Sequence, residues 1–273
     1  MLMITVPHAG ETIPEEAEWL KSVAPAVLLT DVDRFVDELY RPAAEALKLP
    51  MEVMSIHRYA LDLNRLPSDI DPESVEGAPP VDPRKAASFV SGFHWVRTTR
   101  GEDLMVRPIP MATHRRMVEI FYAPFHARVR RMEEELVAQM GLPRFHLDVH
   151  SMPSVASTKH KDAGQPRPDV VVSDCSGRSC SAAFKDLVIR AYREQGFDVS
   201  YNWPYLGGRM TEAYGDPAHG KHSVQIELKR SLYMDETTRE KHAGFAQTVS
   251  RIRFALDMIA AGISKLRSES HGR

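Results

Sequence analysis

The sequence contains little of what marks several common classes of protein. Cysteine occurs only twice in 273 residues, at Cys175 and Cys180, which is too few for a disulfide framework or a four-cysteine zinc site. Lys and Arg together number 35 and Asp and Glu 37, so the formal net charge is -2. Without an excess of positive charge, neither nucleic acid nor anionic lipid is an expected partner.

Long apolar runs are also missing. The longest runs, such as 24–29, are much shorter than the roughly 20 residues that a membrane-spanning helix requires. The opening residues MLMITVPHAG lack the charged and apolar segments of a signal peptide. Hydrophobic residues make up 43% and charged residues 26% of the chain, as in folded globular proteins. We therefore expect a cytoplasmic protein without a membrane segment.

Strand-like and helix-like segments alternate along the chain. Short apolar runs predict strands at 3–6, 51–56, 59–63, 145–149, 170–173 and 224–228. Apolar residues at helical spacing predict helices over 31–47, 111–140, 181–195 and 236–266. The alternation favours an α/β fold, a three-layer αβα domain with a mixed, largely parallel central sheet. No internal repeat or linker divides the chain, so we predict a single domain over 1–273.

Two segments are irregular. The helical pattern of 111–140 contains Pro124, which predicts a kink or a division into two helices. Residues 66–83 hold many Pro, Asp, Ser and Gly without periodicity, and the segment up to 110 has no clear assignment. Long irregular loops in compact domains are more often functional than idle. The stretch 66–110 is therefore a candidate loop or lid over a site.

Polar residues gather where the predicted strands end. His8 follows the first strand, His150 follows the strand at 145–149, and Asn64 and Arg65 follow the strand at 59–63. In open α/β sheets, catalytic groups lie at the carboxyl ends of strands, where loops vary without disturbing the core. Glu227 is different, because it lies within a strand among aliphatic residues, where a carboxylate is costly to desolvate.

The two histidines indicate a metal site. Imidazole groups at strand ends bind Zn²⁺ or a similar divalent ion, often with a carboxylate as the third ligand. The spacing in the sequence does not decide which carboxylate is the third ligand. Glu11 stands in an H-x-x-E spacing with His8, whereas Asp31 and Asp33 precede the next helix, where an acid is also a common cap.

Asp148 and a structural role for the histidines also have to be considered. Asp148 stands two residues before His150 and would share its face of the strand. It would then be a ligand itself or the partner that orients the His150 ring. For any single histidine, a hydrogen-bonded structural role at a strand end is the alternative, but two such histidines together favour a metal site.

Six segments, in order, closely resemble the N-formylglutamate amidohydrolase family. They are VPHAGETIP, TDVDRFVDELY, RYALDLNR, LDVHSM, NWPYLGGRMTEAYGDP and HSVQIELKRSLYMDE, and they span residues 6–235. The resemblance implies a phosphorylase/hydrolase-like α/β fold of the zinc-carboxypeptidase-like class. It also implies a metal-dependent hydrolase that cuts the formyl amide of N-formyl-L-glutamate to formate and L-glutamate in histidine breakdown.

The resemblance also orders the candidate ligands and the base. In the family pattern, the acid that matches Asp33 belongs to a motif, so His8, Asp33 and His150 are the predicted ligands, with Glu11 and Asp31 in reserve. Glu227 is the predicted general base, which would take a proton from the attacking water and pass it to the leaving nitrogen. The alternative for Glu227 is the solvent-facing side of an edge strand.

An acidic substrate needs cationic donors with fixed geometry, which arginine supplies. The candidate substrate-binding residues are Arg58, Asn64, Arg65, Gly207, Gly208 and Arg209. The two glycines permit a close approach of backbone to a ligand, although a tight turn explains them equally well. The arginines also have an alternative role, because they would equally form ion pairs with Asp62 or Asp69 on a loop.

The expected partner is a small acidic N-acyl amino acid, most simply N-formyl-L-glutamate. Two alternatives stay open. A relative with the same fold would hydrolyse another N-acyl amino acid or a small peptide, because pocket detail decides the substrate. A non-catalytic protein would bind the metal or a ligand only, but binding alone does not require a base such as Glu227.

Overall fold

The structure is a computed structural model that describes residues 2–78, 92–157 and 160–271. A six-stranded sheet organises it, with the order β2-β1-β3-β6-β4-β5. Its strands are β1 (Leu2–Val6), β2 (Met51–Val53), β3 (Arg144–Met152), β4 (Val170–Ser173), β5 (Val199–Tyr201) and β6 (Lys221–Lys229). Neighbouring strands run parallel except β4 and β6, which are antiparallel. The predicted α/β class with a mixed, largely parallel sheet is confirmed.

Helices cover both faces of the sheet. They are α1 (Pro25–Leu28), α2 (Val36–Leu47), α3 (Met111–Met117), α4 (Ala123–Met140), α5 (Ala182–Glu194), α6 (Arg209–Ala213) and α7 (Gly244–His271). Short 3₁₀ turns lie at Glu18–Leu20, Pro217–His219 and Arg230–Leu232. Helices α2, α5 and α7 pack on one face, and α3, α4 and α6 lie on the other. In the part of the chain that the structure describes, no helix combines the length and apolar character needed to cross a membrane.

The predicted irregularity near Pro124 is confirmed. Helices α3 and α4 are joined by one wide π-helical turn, Val118–Tyr122, and Pro124 follows directly in α4. Proline lacks an N–H and its ring crowds the carbonyl of the preceding turn, so the regular hydrogen-bond pattern cannot continue through it. The helical axis therefore continues, but its hydrogen bonding changes at this point.

The two faces of the sheet differ in character. On one face, alternate residues of the three central strands are aliphatic or aromatic and form the larger core with α2, α5 and α7. The opposite face carries a buried polar row on β1, β3 and β6: Thr5, His146, Asp148, His150, Ser223, Gln225 and Glu227. Because side chains alternate between the faces of a sheet, this period-two pattern brings all seven to one side.

Several predicted boundaries were wrong. Residues 59–63 form an irregular segment with turns and not a strand. All five of their side chains are buried, four of them in a smaller hydrophobic core that also contains Met117 and Phe125, so their burial does not alternate as it would in a strand. The helix predicted from 31 begins at Val36, and the helix predicted from 236 begins at Gly244. The short strand β5 and helix α6 were not predicted.

The predicted lid lies only partly within the described residues. Of the stretch 66–110, residues 79–91 lie outside them. In the described part, Trp95 and Thr99 line the same cavity as His8. The segment around Thr99 turns back on itself through a bridge between Arg97 and Asp103. Movement of this segment over the cavity stays a prediction.

Candidate metal centre and active site

Three predicted ligands meet at the carboxyl edge of the sheet. His8 follows β1, His150 lies near the end of β3, and Asp33 precedes α2, where its backbone N–H donates to the His8 carbonyl oxygen at 2.9 Å. One ligand atom from each of the three lies within 4.8 Å of the other two, and all three side chains are buried. Among the described residues, no other group of histidine, cysteine and acid side chains converges in this way.

The hydrogen bonding of the two rings favours a cation between them. His150 Nδ1 is 3.1 Å from Asp33 Oδ2, and His150 Nε2 is 3.2 Å from Asp148 Oδ2. A neutral imidazole has one N–H and cannot donate to two carboxylates, so the ring either carries a second proton or meets a cation at one nitrogen. In this structure the carboxylates of Asp148 and Asp33 hold the pKa of His150 well above its ordinary value, although burial lowers it.

His8 faces a carboxylate at hydrogen-bond distance from one ring nitrogen only. Its Nε2 is 2.8 Å from Asp62 Oδ1. Its buried Nδ1 has no hydrogen-bond partner in the part of the chain that the structure describes, and it lies 3.7 Å from Asp33 Oδ2. Histidines that bind metals commonly have a carboxylate on the second ring nitrogen, which fixes the tautomer and the ring orientation. Two imidazole nitrogens and one carboxylate oxygen therefore fit a Zn²⁺ site at His8 Nδ1, Asp33 Oδ2 and His150 Nδ1.

Asp31 and Glu11, the two alternative ligands, bond to other protein groups. Asp31 lines the cavity, but its Oδ2 accepts from the Tyr59 hydroxyl at 2.6 Å and from the Thr99 N–H at 3.0 Å. Glu11 pairs with Arg34 at 2.8 Å on the surface. Neither belongs to the group formed with the two histidines.

Asp33 is held ionised by its donors. Burial would raise its pKa, but hydrogen bonds with His150 and His8 lower the pKa well below the ordinary value. Its other oxygen, Oδ1, accepts from the Ser151 hydroxyl at 3.0 Å and is 3.3 Å from Arg230 Nη2. Asp33 therefore keeps one oxygen directed at the two rings while protein donors hold the other.

Sequence reasoning missed two residues of this network. Asp62 was considered only as an arginine partner, yet it accepts from the Arg58 guanidinium at 3.1 Å and the Trp95 indole at 2.9 Å as well as facing His8. Arg230 lines the cavity, and its three nitrogens donate to Thr30, Ser151 and Asp33. The signal for Arg230 was its position directly after β6, at the same edge of the sheet as the ligands.

Glu227 lies beside the cluster and not on an edge strand. Its strand, β6, runs between β3 and β4, and Glu227 stands opposite His150 in the register. The edge-strand alternative is therefore wrong. Glu227 Oε1 accepts from the Gln225 amide at 2.7 Å, and burial raises the pKa of Glu227 to about 7. A carboxyl group with this pKa can both accept and release a proton near neutral pH.

The predicted substrate-binding residues divide between two pockets. Arg58, Asn64, Arg65, Gly207 and Gly208 line the cavity of about 280 Å³ that contains His8, Asp33, His150 and Glu227. Arg209 does not line it; this arginine lies in a neighbouring pocket and pairs with Glu212 at 2.8 Å. The structure thus brings together all the predicted site residues except Arg209.

Arg58 and the two glycines have structural partners as well. The Arg58 guanidinium pairs with Asp62, as the alternative interpretation expected, and lies 4.7 Å from the Trp95 ring centroid. Its buried Nε has no hydrogen-bond partner within the described ranges. Gly207 has a φ of 113°, a conformation that favours glycine. A Cβ on Gly208 would lie 2.6 Å from the Asn64 amide. The glycines therefore form a thin wall of the cavity that larger residues cannot form.

The fold and the cavity define a class: an α/β protein with a candidate metal centre and a neighbouring carboxylate at the carboxyl ends of parallel strands. The comparisons identify the family. The model of the N-formylglutamate amidohydrolase family matches residues 1–234. The chain belongs to this family, as its six sequence segments predicted.

Similar proteins from three organisms agree with this assignment. The crystal structure of N-formylglutamate amidohydrolase from Ralstonia eutropha JMP134 is 31% identical, with a TM-score of 0.84, and the match covers 98% of this chain and 94% of that one. The N-formylglutamate deformylase of Pseudomonas putida is 30% identical over 86% of this chain and 82% of its own length. The Pseudomonas aeruginosa deformylase is 28% identical over the same shares.

Proposed function

We propose that this chain hydrolyses the formyl amide of N-formyl-L-glutamate to formate and L-glutamate. The observation that carries the proposal is the buried His8, Asp33 and His150 cluster with Glu227 in the same cavity. The names of the relatives from Pseudomonas putida and Ralstonia eutropha support this substrate.

A divalent metal ion, which we take to be Zn²⁺, is part of the proposal. His8, Asp33 and His150 would hold it, and Asp62 and Asp148 would orient the two histidine rings from their second nitrogens. When bound, the ion would act as a Lewis acid that polarises the amide and makes a nearby water more acidic. Arg230 and Ser151 keep Asp33 in place for this role.

Glu227 moves the proton. Its carboxylate accepts a proton from the attacking water as the water oxygen bonds to the formyl carbon, and its carboxylic acid then donates that proton to the nitrogen as the C–N bond breaks. Gln225 donates to Oε1 at 2.7 Å and so leaves Oε2 for the water. The products are formate and glutamate with a free amine.

The cavity suits a small acidic molecule. Arg58 and Arg65 both line it, and among the described residues the buried Nε of Arg58 has no hydrogen-bond partner. Arginine N–H groups bind carboxylates more strongly than neutral donors do. We infer that the substrate carboxylates face Arg58 and Arg65, with Asn64 and the Gly207–Gly208 backbone forming the adjacent wall. Arg209, in the neighbouring pocket, is a more distant contributor.

Formate release and metal content, measured on the same preparation, test the function. We expect about one bound ion per chain, formate release from N-formyl-L-glutamate, and loss of both in the presence of a chelator. N-acetyl-L-glutamate and N-formyl-L-glutamine serve as matched substrates. Faster turnover of the acetyl compound would reassign the acyl group, and metal binding without turnover of any of the three would indicate a binding protein.

The arginine assignment has its own test. N-formyl-L-glutamine leaves the cation facing the side chain poorly paired, so the acidic substrate should be preferred about tenfold or more in kcat/KM. The Arg65→Leu variant should reduce that preference, and Arg209→Leu should reduce it less because Arg209 lies outside the main cavity. Equal kcat/KM values for the two substrates in the unaltered protein would rule out a pocket that reads the side-chain carboxylate.

A further inference from the structure

Tyr205 also lines the cavity. It lies between β5 and α6 and shares the cavity with His150, Glu227 and Arg230. Within the described ranges, no residue forms a hydrogen bond with its hydroxyl group. The hydroxyls of two other tyrosines bond to carboxylates: Tyr59 donates to Asp31 at 2.6 Å, and Tyr201 donates to Asp174 at 2.9 Å. The hydroxyl of Tyr205 is therefore available to a ligand in the cavity.

The ring and the backbone of Tyr205 have protein contacts, although its hydroxyl has no hydrogen-bond partner among the described residues. The Arg167 guanidinium lies 5.1 Å from the ring centroid, and Arg167 is itself fixed by two contacts with Asp162, at 2.8 and 3.1 Å. The backbone carbonyl of Tyr205 accepts from the Ser173 hydroxyl at 2.8 Å. A donor positioned before the ligand arrives loses little entropy on binding, which is what a catalytic hydrogen bond requires.

Several other donors around the cavity already bond to protein groups. Arg230 makes three hydrogen bonds to protein groups, the Thr99 N–H is held by Asp31, and the Gly208 N–H donates to Gln225. Tyr205 supplies an uncommitted, uncharged O–H. Burial and the charge of Glu227 raise the pKa of this phenol, so it remains protonated and acts as a donor.

We propose that the Tyr205 hydroxyl donates a hydrogen bond to the amide oxygen of the substrate while that oxygen gains negative charge in the transition state. The inference rests on the amide hydrolysis proposed above. As water adds to the carbonyl carbon, the C=O electron pair moves to the oxygen, and a neutral hydrogen bond becomes a charge-assisted one. An interaction that strengthens only in the transition state raises kcat and leaves substrate binding nearly unchanged.

The Tyr205→Phe variant tests this role. It keeps the ring and its contact with Arg167 and removes only the hydroxyl. We expect kcat to fall on the order of 100-fold, as for other single oxyanion donors, with KM changed by less than about threefold and metal content unchanged. The matched control is Tyr201→Phe, whose hydroxyl bonds to Asp174 and lies outside the cavity; kcat should stay at the value of the unaltered protein.

An inhibitor gives a second readout. A phosphorus analogue of N-formylglutamate with a tetrahedral, negatively charged centre mimics the transition state, whereas the product L-glutamate does not. Tyr205→Phe should weaken the analogue by a factor similar to the loss in kcat and should leave glutamate binding unchanged. Thermal unfolding of both variants, compared with the unaltered protein, checks that the fold is kept.

Two results would overturn the inference. Unchanged kcat and analogue affinity in Tyr205→Phe would remove the hydroxyl from the transition state. A raised KM and weaker glutamate binding with unchanged kcat would place it on a substrate carboxylate instead. Failure of the proposed function has a different signature, because the unaltered protein would then release no formate at all.

Discussion

Two histidines on one face of β3 show how partners decide the role of a residue. His146 and His150 stand four residues apart, so they point to the same side of the sheet, and both are buried. His146 bonds to two hydroxyls, Thr5 Oγ1 at 2.9 Å and Ser223 Oγ at 2.8 Å. His150 faces two carboxylates, Asp33 and Asp148.

Hydroxyl and carboxylate partners make different demands on the ring. A hydroxyl can donate or accept, so a neutral imidazole satisfies both neighbours of His146 with its single N–H. Carboxylates only accept, so His150 is satisfied only as a cation or beside one. Burial lowers the pKa of His146 to about 4, whereas the carboxylates raise the pKa of His150 despite its burial. We therefore predict a structural histidine in the amino half of β3 and a functional one in the carboxyl half.

The largest effect should separate these two histidines. His150→Ala removes a proposed ligand, so metal content should fall to background and formate release should become undetectable. His146→Ala should keep the metal but lower the free energy of unfolding by about 2–4 kcal/mol, because it leaves a cavity, removes the buried partner of the Ser223 hydroxyl and leaves Thr5 Oγ1 with Asp148 alone. Metal analysis, formate release and urea unfolding of both variants make the comparison. Metal loss in both variants would contradict separate roles.

The residues opposite the two histidines on β6 also differ: Glu227 stands opposite His150, and Ser223 stands opposite His146. Glu227→Gln keeps the shape of the side chain but cannot accept a proton. We expect kcat to fall by about 10²- to 10⁴-fold with nearly normal metal content. Steady-state kinetics on metal-analysed protein provides the measurement, and turnover close to that of the unaltered protein would remove Glu227 from the mechanism.

A smaller effect should come from the carboxylate behind His8. Asp62→Asn replaces the carboxylate that accepts a hydrogen bond from His8 Nε2 with a weaker amide acceptor. The Zn²⁺ affinity should therefore fall by about 10- to 100-fold. Asp216→Asn is the matched control, because Asp216 contacts His219 at 2.8 Å on the surface, away from the site. Competition with a chelator of known affinity measures both. Equal effects of the two changes would mean that Asp62 does not support a metal ligand.

The smallest effect should lie at the amino end of the same strand. There the buried Arg144 pairs with Glu133 at 3.1 Å, and Lys221 pairs with the same oxygen at 2.7 Å. Burial raises the pKa of Glu133, but Lys221 and Arg144 outweigh burial and lower it below its ordinary value. At pH values above the ordinary pKa, ionised Glu133 therefore stabilises the fold through its two cationic partners. This stabilisation is lost as the pH falls through the lowered pKa.

Glu133→Gln should accordingly lower the free energy of unfolding by about 1–2 kcal/mol at pH 7 and by less near pH 3, which is below the ordinary pKa of this group. Metal content and kcat should not change, since the pair lies at the opposite end of β3 from His150. Urea unfolding at the two pH values gives the result. A loss of stability that is the same at both would show that the charge is not responsible.

The sequence carried more information about the fold than about the partners within the site. Periodicity located the central strands, and the rule that catalytic groups follow strand ends singled out His8 and His150. The distinction between His146 and His150 was not accessible, because it depends on Thr5 and Ser223 from neighbouring strands. Asp62 was missed for the same reason, since its contact with His8 spans 54 positions of sequence.

The errors in local structure also have physical causes. The alternation at 59–63 resembled a strand, but Ala60 and Asp62 are as buried as Tyr59, so burial there does not alternate. The short strand β5 covers only Val199–Tyr201, too few residues for a periodic signal. Tyr205 carried no signal at all, because an unused hydroxyl is recognised only when the partners of its neighbours are known.

The most direct test of the metal centre is X-ray diffraction at the zinc absorption edge from crystals of the zinc-loaded protein. We predict one anomalous peak about 2.0–2.2 Å from His8 Nδ1, Asp33 Oδ2 and His150 Nδ1, with His146 making no contact. A peak at other residues, or no peak at this cluster in crystals supplied with excess zinc, would contradict it.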